Sequence, residues 1–198
     1  MRQTQAIIME AFAQLLEERP MNKITVKDIV DRCNINRNTF YYHFPDIPSL
    51  LQEIMEEKVN TLIATHCSLG RPLDCIKPAI QYGVAHKQAV LHVYRAIPRE
   101  TFLLYINRLA QHMVDKYFDN IFQTVTIPTE DADILNRYYK CMVVGCLLDW
   151  LDTAMRYDLE ANMERICFLM EGAGERAIQK SVECSFQRRS ASGAQHSA

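Results

Sequence analysis

Apolar residues recur at the spacing of an α-helix along most of this 198-residue chain, and this constrains its fold more than any other feature. Near the N-terminus, for example, Ile8, Phe12 and Leu15 follow one another at intervals of four and three residues. Almost no stretch shows the alternation of apolar and polar residues that a half-buried β-strand requires. The sequence therefore predicts an all-α fold of about nine helices.

Prolines and capping residues divide the first third of the chain into four predicted helices. Pro20 ends the first of them, because the residue before a proline avoids helical backbone angles. Thr25 is expected to cap the second, with Asp28 three residues later in the position of a capping box. The four predicted helices cover residues 3–18, 26–33, 37–43 and 49–66.

Longer stretches of helical periodicity follow a break at residues 68–72 and predict a second, larger helical unit. Thr129 is expected to cap one of its helices, because acidic residues fill the next turn, where the helix dipole favours negative charge. The predicted helices cover residues 73–86, 87–96, 99–124, 131–157 and 160–184. The sequence thus predicts a head at 1–48, a linking helix at 49–67, a body at 68–184 and a disordered tail at 185–198.

Composition and motifs argue against several classes of protein. No stretch approaches the roughly 18 apolar residues of a membrane-spanning helix, and the N-terminus lacks the apolar core of a secretory signal. We therefore expect a cytoplasmic protein with no membrane partner. The seven cysteines include no C-x-x-C pair and the histidines of the body lack i, i+4 spacing, so no metal site is expected. No phosphate-binding loop, H-E-x-x-H motif or nucleophile elbow is present, so we expect neither an enzyme nor a cofactor.

The second and third predicted helices are joined by a short turn and preceded by another helix, which is the arrangement of a helix-turn-helix. In such a motif the second helix of the pair enters the major groove of DNA. Phe40 and Phe44 lie one turn apart and are expected to face the core of the head with Ile29 and Ile35. The rest of the third helix carries polar ends that suit phosphates and base edges: Arg37, Asn38, Thr39, Tyr41, Tyr42 and His43.

Two runs in this segment are specific: I-T-V-K-D-I-V at residues 24–30 and N-I-N-R-N-T-F-Y-Y-H-F at residues 34–44. With the residues around them, from about 3 to 60, they closely resemble the DNA-binding domain of the tetracycline-repressor (TetR) family. The second run, with the Asp46-Ile47 that follows, is most similar to the branch that includes the dihydroxyacetone-kinase regulators. The resemblance implies a homodimer with a three-helix head and a helical body that binds a small-molecule effector.

The resemblance also implies that nine residues contact double-stranded DNA. Those at the start of the third helix would face base edges, while Tyr41 would reach into the major groove and Tyr42 and His43 would contact phosphates. Thr25 would cap the second helix and donate to a phosphate, with Lys27 beside it. The predicted DNA-binding residues are Thr25, Lys27, Asn36, Arg37, Asn38, Thr39, Tyr41, Tyr42 and His43.

Two features depart from the family pattern. Ile47 stands where the family usually has a lysine that contacts phosphate, and Arg2 is the only basic residue of a short N-terminal arm. Residues 1–47 are also balanced in charge, whereas DNA-binding modules are usually basic. These features predict weaker non-specific affinity and a flatter dependence on salt. The balance is six basic groups (Arg2, Arg19, Lys23, Lys27, Arg32, Arg37) against six acidic ones (Glu10, Glu17, Glu18, Asp28, Asp31, Asp46).

For the body, the resemblance implies a dimer surface and an effector pocket. We expect the last two predicted helices to pack against their two-fold copies as a four-helix bundle, with Gly145 and Gly174 allowing close approach. A pocket would combine apolar walls with a few orienting polar groups. The candidate pocket residues are His86, His92, Tyr94, Phe102, Tyr105, Tyr138 and Met142.

Together these features predict a ligand-responsive transcriptional regulator, a repressor, that binds a near-palindromic operator as a homodimer. Two heads are needed because one contacts only half of such a site. The alternative is a regulator of the same fold that acts through a partner protein and has little operator binding of its own. The balanced charge of the head and the presence of Ile47 favour this alternative.

Overall fold

The structure, a computed structural model, describes residues 2–64, 72–122 and 125–194. These ranges contain ten α-helices, one short 3-10 helix at Met21–Lys23 and no strand, so the predicted all-α class is confirmed. The helices are α1 (Arg2–Glu18), α2 (Val26–Cys33), α3 (Arg37–His43), α4 (Ile47–Ala64), α5 (Pro72–Ala85), α6 (Lys87–Ala96), α7 (Arg99–Phe122), α8 (Thr129–Asp152), α9 (Leu159–Leu169) and α10 (Ala173–Ala194). None of the described helices combines the length and apolar content needed to cross a membrane.

Helix α4 begins at Ile47, two residues before the predicted start at Ser49. The Asp46 carboxylate accepts the backbone N–H of Ser49 at 2.8 Å, as an N-cap does three residues into a helix. Pro48 then lies in the first turn, where a proline is tolerated because the missing N–H would have no intrahelical partner. The two prolines of this segment therefore mark a helix start and not a longer break.

Two predictions about α8 were wrong. Helix α8 begins at Thr129 itself, after Pro128, and no side chain caps it. It ends at Asp152 and not near residue 157, because Ala154 and Met155 adopt left-handed backbone angles with φ of 56° and 53°.

The predicted helix over 160–184 is instead two helices, α9 and α10. Gly172, with φ of +75°, turns the chain between them, and glycine adopts this conformation without a steric penalty. Helix α10 continues to Ala194, across most of the segment predicted to be disordered from residue 185. Residues 195–198 of that predicted tail lie outside the described ranges.

Two hydrophobic cores share helix α4. The head core packs buried side chains of α1, α2, α3 and the first half of α4, among them Phe12, Ile29, Phe40 and Leu50. The body core lies among α5, α7, α8 and α9 and takes Val59 from the second half of α4. Met55 of α4 contacts both cores. Since α6 also packs along α1, the head is held to the body by two helices.

Candidate nucleic-acid interface

Helix α3 is fixed by one face and exposed on the other. Phe40 and Phe44, one turn apart, are fully buried in the head core, as predicted, with Ile29 beside them. Because successive residues turn by about 100°, the residues at positions 38 and 42 lie opposite Phe40. The residues at positions 37 and 41 are exposed as well. Tyr41 is 53% exposed and Tyr42 is 70% exposed, which is unusual for tyrosines of a short helix unless they serve a contact outside the chain.

The turn between α2 and α3 depends on Asn34. Its backbone is left-handed, with φ of 54° and ψ of 44°. Its N–H and that of Ile35 donate back to the carbonyls of Asp31 and Val30, the Schellman arrangement that closes a helix. Asparagine tolerates this conformation better than most residues. The turn therefore fixes how α3 leaves α2.

Two of the predicted DNA-binding residues hold the starts of helices. Thr25 and Asp28 form the predicted capping box of α2, in which Thr25 N–H donates to Asp28 Oδ2 at 2.8 Å and Asp28 N–H donates to Thr25 Oγ1 at 3.3 Å. Asn36 caps α3, its Oδ1 accepting from Thr39 N–H at 2.9 Å and from the Thr39 hydroxyl at 3.1 Å. The cap uses only the amide oxygen of Asn36, so its amide nitrogen stays available as a donor.

The acidic residues of the head are largely engaged with partners of their own. Arg32 pairs with both carboxylate oxygens of Glu18, at 2.6 and 2.9 Å, and Arg19 lies 3.2 Å from Asp28. The hydrogen bond from Arg32 lowers the pKa of Glu18, and the hydrogen bonds from Thr25, with the charge of Arg19, lower the pKa of Asp28. These two acids therefore stay ionised and partly neutralised.

The helix-turn-helix also presents cations that are not paired with these acids. Helix α3 contains no acidic residue. Lys27 and Arg37 are both exposed, and among the described residues neither has an acidic partner within 4.0 Å. Cations without a partner are the groups that can release counterions from a phosphate backbone.

Ile47 lies half-buried at the start of α4 and packs against the head core. An apolar side chain at this position stabilises the junction of α3 and α4 and offers nothing to a phosphate. The structure thus gives a packing role to the residue that replaces the family's lysine.

A cavity of about 180 Å³ lies between the head and the body. Helix α1 lines it with Ala13 and Leu16, and α4 lines it with residues from Leu51 to Leu62. Helices α5 to α8 form the other walls, which include Tyr82 and Trp150. A molecule in this cavity would touch both units at once.

Two of the seven predicted pocket residues, Phe102 and Tyr105, line this cavity. The other five lie elsewhere. His86 Nδ1 lies 2.9 Å from Glu17 Oε1, and His92 Nδ1 lies 2.7 Å from the carbonyl oxygen of Leu16, so both histidines join α6 to α1. The Tyr94 hydroxyl donates a hydrogen bond to Asp152 and accepts one from Arg99. Tyr138 and Met142 lie on parts of α8 that do not line the cavity.

Most residues of the cavity lining were not predicted from the sequence, because the candidate pocket residues were chosen mainly for their polar or aromatic side chains. The walls are mainly apolar, and residues such as Leu16 and Ile54 have the spacing of ordinary core positions. A periodicity shows which residues share a face of a helix, but not what that face meets. Within the described ranges, no three histidine, cysteine or acidic side chains come together as a metal site.

Several large apolar side chains are exposed on α8 and at the end of α9. Ile134 is 59% exposed and Tyr138 57%, and a Cβ added to Gly145 would meet no atom within 4 Å. The other exposed members are Phe168, Leu169 and Met170. The second predicted glycine differs, because a Cβ at Gly174 would lie 3.1 Å from the Tyr139 hydroxyl of the same chain.

Two family models match the chain. The model described as bacterial regulatory proteins of the tetR family matches residues 8–54, which are the head. The model described as a transcriptional regulator C-terminal region matches residues 71–172, which are most of the body. Neither describes an enzyme.

Curated relatives point the same way. The chain is 21% identical over 171 residues to an uncharacterized HTH-type transcriptional regulator, YxbF, of Bacillus subtilis, covering 82% of this chain and 43% of the relative. It is 38% identical over 60 residues to DhaS of Lactococcus lactis, an HTH-type dhaKLM operon transcriptional activator, covering 30% of this chain and 32% of that protein. The chain therefore spans less than half the length of these relatives.

Solved structures share the fold. The structure titled dihydroxyacetone kinase operon activator DhaS matches 84% of this chain and 93% of its own, with a TM-score of 0.69 and 20% identity. A TetR transcriptional regulator from Streptococcus agalactiae matches 86% of this chain and 94% of its own, with a TM-score of 0.58 and 21% identity. The predicted resemblance, including the likeness to a dihydroxyacetone-kinase regulator, is confirmed. The chain belongs to the TetR family of transcriptional regulators.

Proposed function

We propose that this regulator is a ligand-responsive repressor that binds near-palindromic operator DNA as a homodimer. The observation that carries the proposal is the exposed face of α3. This face is turned away from the buried Phe40 and carries no acidic residue, and the helix-turn-helix also holds two exposed cations without an acidic partner among the described residues, Lys27 and Arg37. Such a face has both the donors and the charge that a major groove requires.

The predicted contacts divide by role. Arg37, Asn38 and Thr39 open α3 toward base edges, and Tyr41 extends the same face one turn later. Tyr42 and His43, which stack edge to face at 5.1 Å between ring centres, suit backbone phosphate. Phosphate contacts orient the protein on the duplex and base contacts specify the sequence. The last phosphate contacts come from Lys27 and from the capping residues Thr25 and Asn36.

A homodimer is supported by the exposed apolar side chains of α8 and of the end of α9. Contiguous exposed apolar surface marks sites of protein–protein contact, and Phe168, Leu169 and Met170 are consecutive and each more than half exposed. Gly145 is suited to a close helix–helix contact because a Cβ added there would meet no other described part of the chain within 4 Å. We propose that α8 packs against its two-fold copy here, together with α10, so that two heads face one operator.

Ligand response is supported by the cavity, because its walls come from both head and body. We propose two arrangements of the heads, only one of which matches successive major grooves about 34–36 Å apart. A ligand that fits the cavity better in the other arrangement would lower operator affinity by shifting the populations. The DNA would be released without any contact between ligand and DNA.

The direct test is selection of genomic fragments by the purified protein, followed by footprinting of the best fragment. We expect a near-palindromic site overlapping a promoter, as repression requires. Tyr41→Ala should relax the sequence preference, whereas Leu104→Ala, at an exposed position of α7, should leave it unchanged. Failure to enrich any fragment, even at low salt, would contradict operator binding and favour action through a partner protein.

A further inference from the structure

The cavity between head and body has the chemistry of a binding site for one class of molecule. Its lining is almost wholly apolar, and its volume of about 180 Å³ is close to that of cavities of about 150 Å³ that take up benzene. The space therefore fits a single aromatic ring or a short alkyl chain.

Aromatic side chains favour a ring over an alkyl chain. Phe102, Tyr105 and Trp150 all line the space. Trp150 Nε1 donates to the carbonyl oxygen of Tyr157 at 3.0 Å, so the indole N–H is already satisfied and contributes only its ring to the cavity. Ring edges and faces of this kind pair favourably with a guest ring.

Lys58 is the only ionisable cation among the lining residues. Its ammonium lies 5.9 Å from the centre of the Tyr82 ring, and no carboxylate of the described residues lies within 4.0 Å of it. Lys58 is exposed and Tyr82 half-buried, which places this pair at the mouth of the cavity. A lysine ammonium can only donate hydrogen bonds.

The hydroxyls of Tyr82 and Tyr105, also in the lining, can donate hydrogen bonds as well as accept them. Burial, with the charges of Glu17 and Glu10, raises the pKa of Tyr82, and burial, with the charge of Glu56, raises the pKa of Tyr105. Both hydroxyls therefore stay protonated at neutral pH and can donate. Glu17 is engaged by His86 and by the N–H of Ala89 at the start of α6. Lys58 and the two hydroxyls thus give the lining one positive charge and further groups that can donate to an anion.

We infer that the effector is a small monocarboxylic acid carrying a single ring or short chain, whose apolar part fills the cavity and whose carboxylate pairs with Lys58. The inference rests on the proposed ligand response but goes beyond it by naming the chemical class. A charge-assisted hydrogen bond to the ammonium explains why an acid would bind better than its neutral analogue. The apolar walls exclude large polar molecules, because their polar groups would be buried without partners.

The experiment compares 3-phenylpropanoate with 3-phenyl-1-propanol by calorimetry on the full chain. The protein has one tryptophan, Trp150, so its fluorescence reports occupancy of this cavity independently. We expect the acid to bind about tenfold more tightly than the alcohol. Lys58→Met should remove that advantage and leave the alcohol unaffected, while Lys180→Met, an exposed lysine of α10, should change neither.

A second variant tests the cavity itself. Ala79→Leu adds bulk to the wall and should weaken the acid and the alcohol alike. Equal affinity for acid and alcohol, or an acid preference that survives Lys58→Met, would overturn the carboxylate. Binding of neither probe at millimolar concentration would overturn the inference as a whole. Both results leave operator selection unaffected, so they are distinguishable from failure of the proposed function.

Discussion

Single side chains decide where the helices of the head begin and end, and most of them can be identified from residue type. The capping box of Thr25 and Asp28 was predicted because these types and their spacing are characteristic of helix starts. The burial of Phe40 and Phe44 was predicted from their separation by one turn. Asp46 was missed as a cap because the prolines on either side suggested a longer break. Local hydrogen bonds are predictable to the extent that no distant element competes for the same atoms.

Asn34 permits a test of the turn between α2 and α3. Asn34→Ala should lower the free energy of unfolding by about 1 kcal/mol. The alanine methyl group cannot form the local hydrogen bonds by which an asparagine side chain tolerates left-handed backbone angles. Asn34→Gly should be neutral or stabilising, since glycine adopts these angles freely. Urea denaturation of both variants measures the difference. Equal losses for alanine and glycine would show that the asparagine side chain, and not the backbone angle, stabilises the turn.

Tyr157 predicts a pH dependence of stability at alkaline pH. Burial, aided by a hydrogen bond from its hydroxyl to Asp149 Oδ2 at 2.8 Å, raises the pKa of Tyr157 from 10.0 to about 12. The protonated form is favoured in the folded state, so this stability is fully present below pH 10 and is lost as the pH rises toward 12. Tyr157→Phe should be less stable than wild type at pH 8, by a margin that shrinks at pH 11. A margin independent of pH in urea titrations would contradict the assignment.

Lys27 separates phosphate contact from sequence preference. Lys27→Ala should weaken binding to all DNA sequences alike and reduce the slope of log affinity against log salt by about one, as loss of one phosphate contact requires. Lys23→Ala, another exposed lysine of the head, is the matched control and should leave the slope unchanged. An altered base preference in Lys27→Ala would show that this lysine contacts bases.

At the scale of elements, the helices of the body were placed well where a proline or a cap bounded them and poorly where a helix ended on backbone geometry alone. Helix α6 has its predicted bounds, whereas α8 ends at two left-handed residues, Ala154 and Met155, that carry no sequence signal. The break between α9 and α10 did carry one, because Gly172 and Gly174 interrupt the apolar pattern. The apolar residues before and after these glycines continue the same helical spacing, and for this reason a single helix was predicted over residues 160–184.

The break at Gly172 predicts an asymmetric response to substitution. Gly172→Ala should destabilise the protein by about 1 kcal/mol, because φ of +75° is strained for a residue with a Cβ. Gly172→Asn should cost less, since asparagine tolerates the left-handed region. Thermal or urea unfolding followed by circular dichroism ranks the two variants. If alanine were tolerated as well as asparagine, α9 and α10 would instead be joined without a left-handed turn.

For the molecule as a whole, the sequence predicted a head and a body but gave no indication of how they meet. The cavity exists because α1 and α4 of the head complete walls that α5 to α8 leave open. Its lining residues are individually indistinguishable from core residues, and only the packing of two units reveals the space between them. The same holds for the proposed dimer surface. The helical pattern alone allows Met163 to face either a second copy or the core of its own chain, and the structure buries it in the body core of its own chain.

We propose that two copies of this chain bind one operator through their α3 helices. Sedimentation of the protein with a selected full-site duplex and with its half-site measures this most directly. We predict two protomers per full site, and much weaker binding to the half-site. Gly145→Glu should fold normally, because its Cβ meets no atom of its own chain, yet sediment as a monomer and lose the full-site advantage. A single protomer bound equally well to both duplexes would contradict the account.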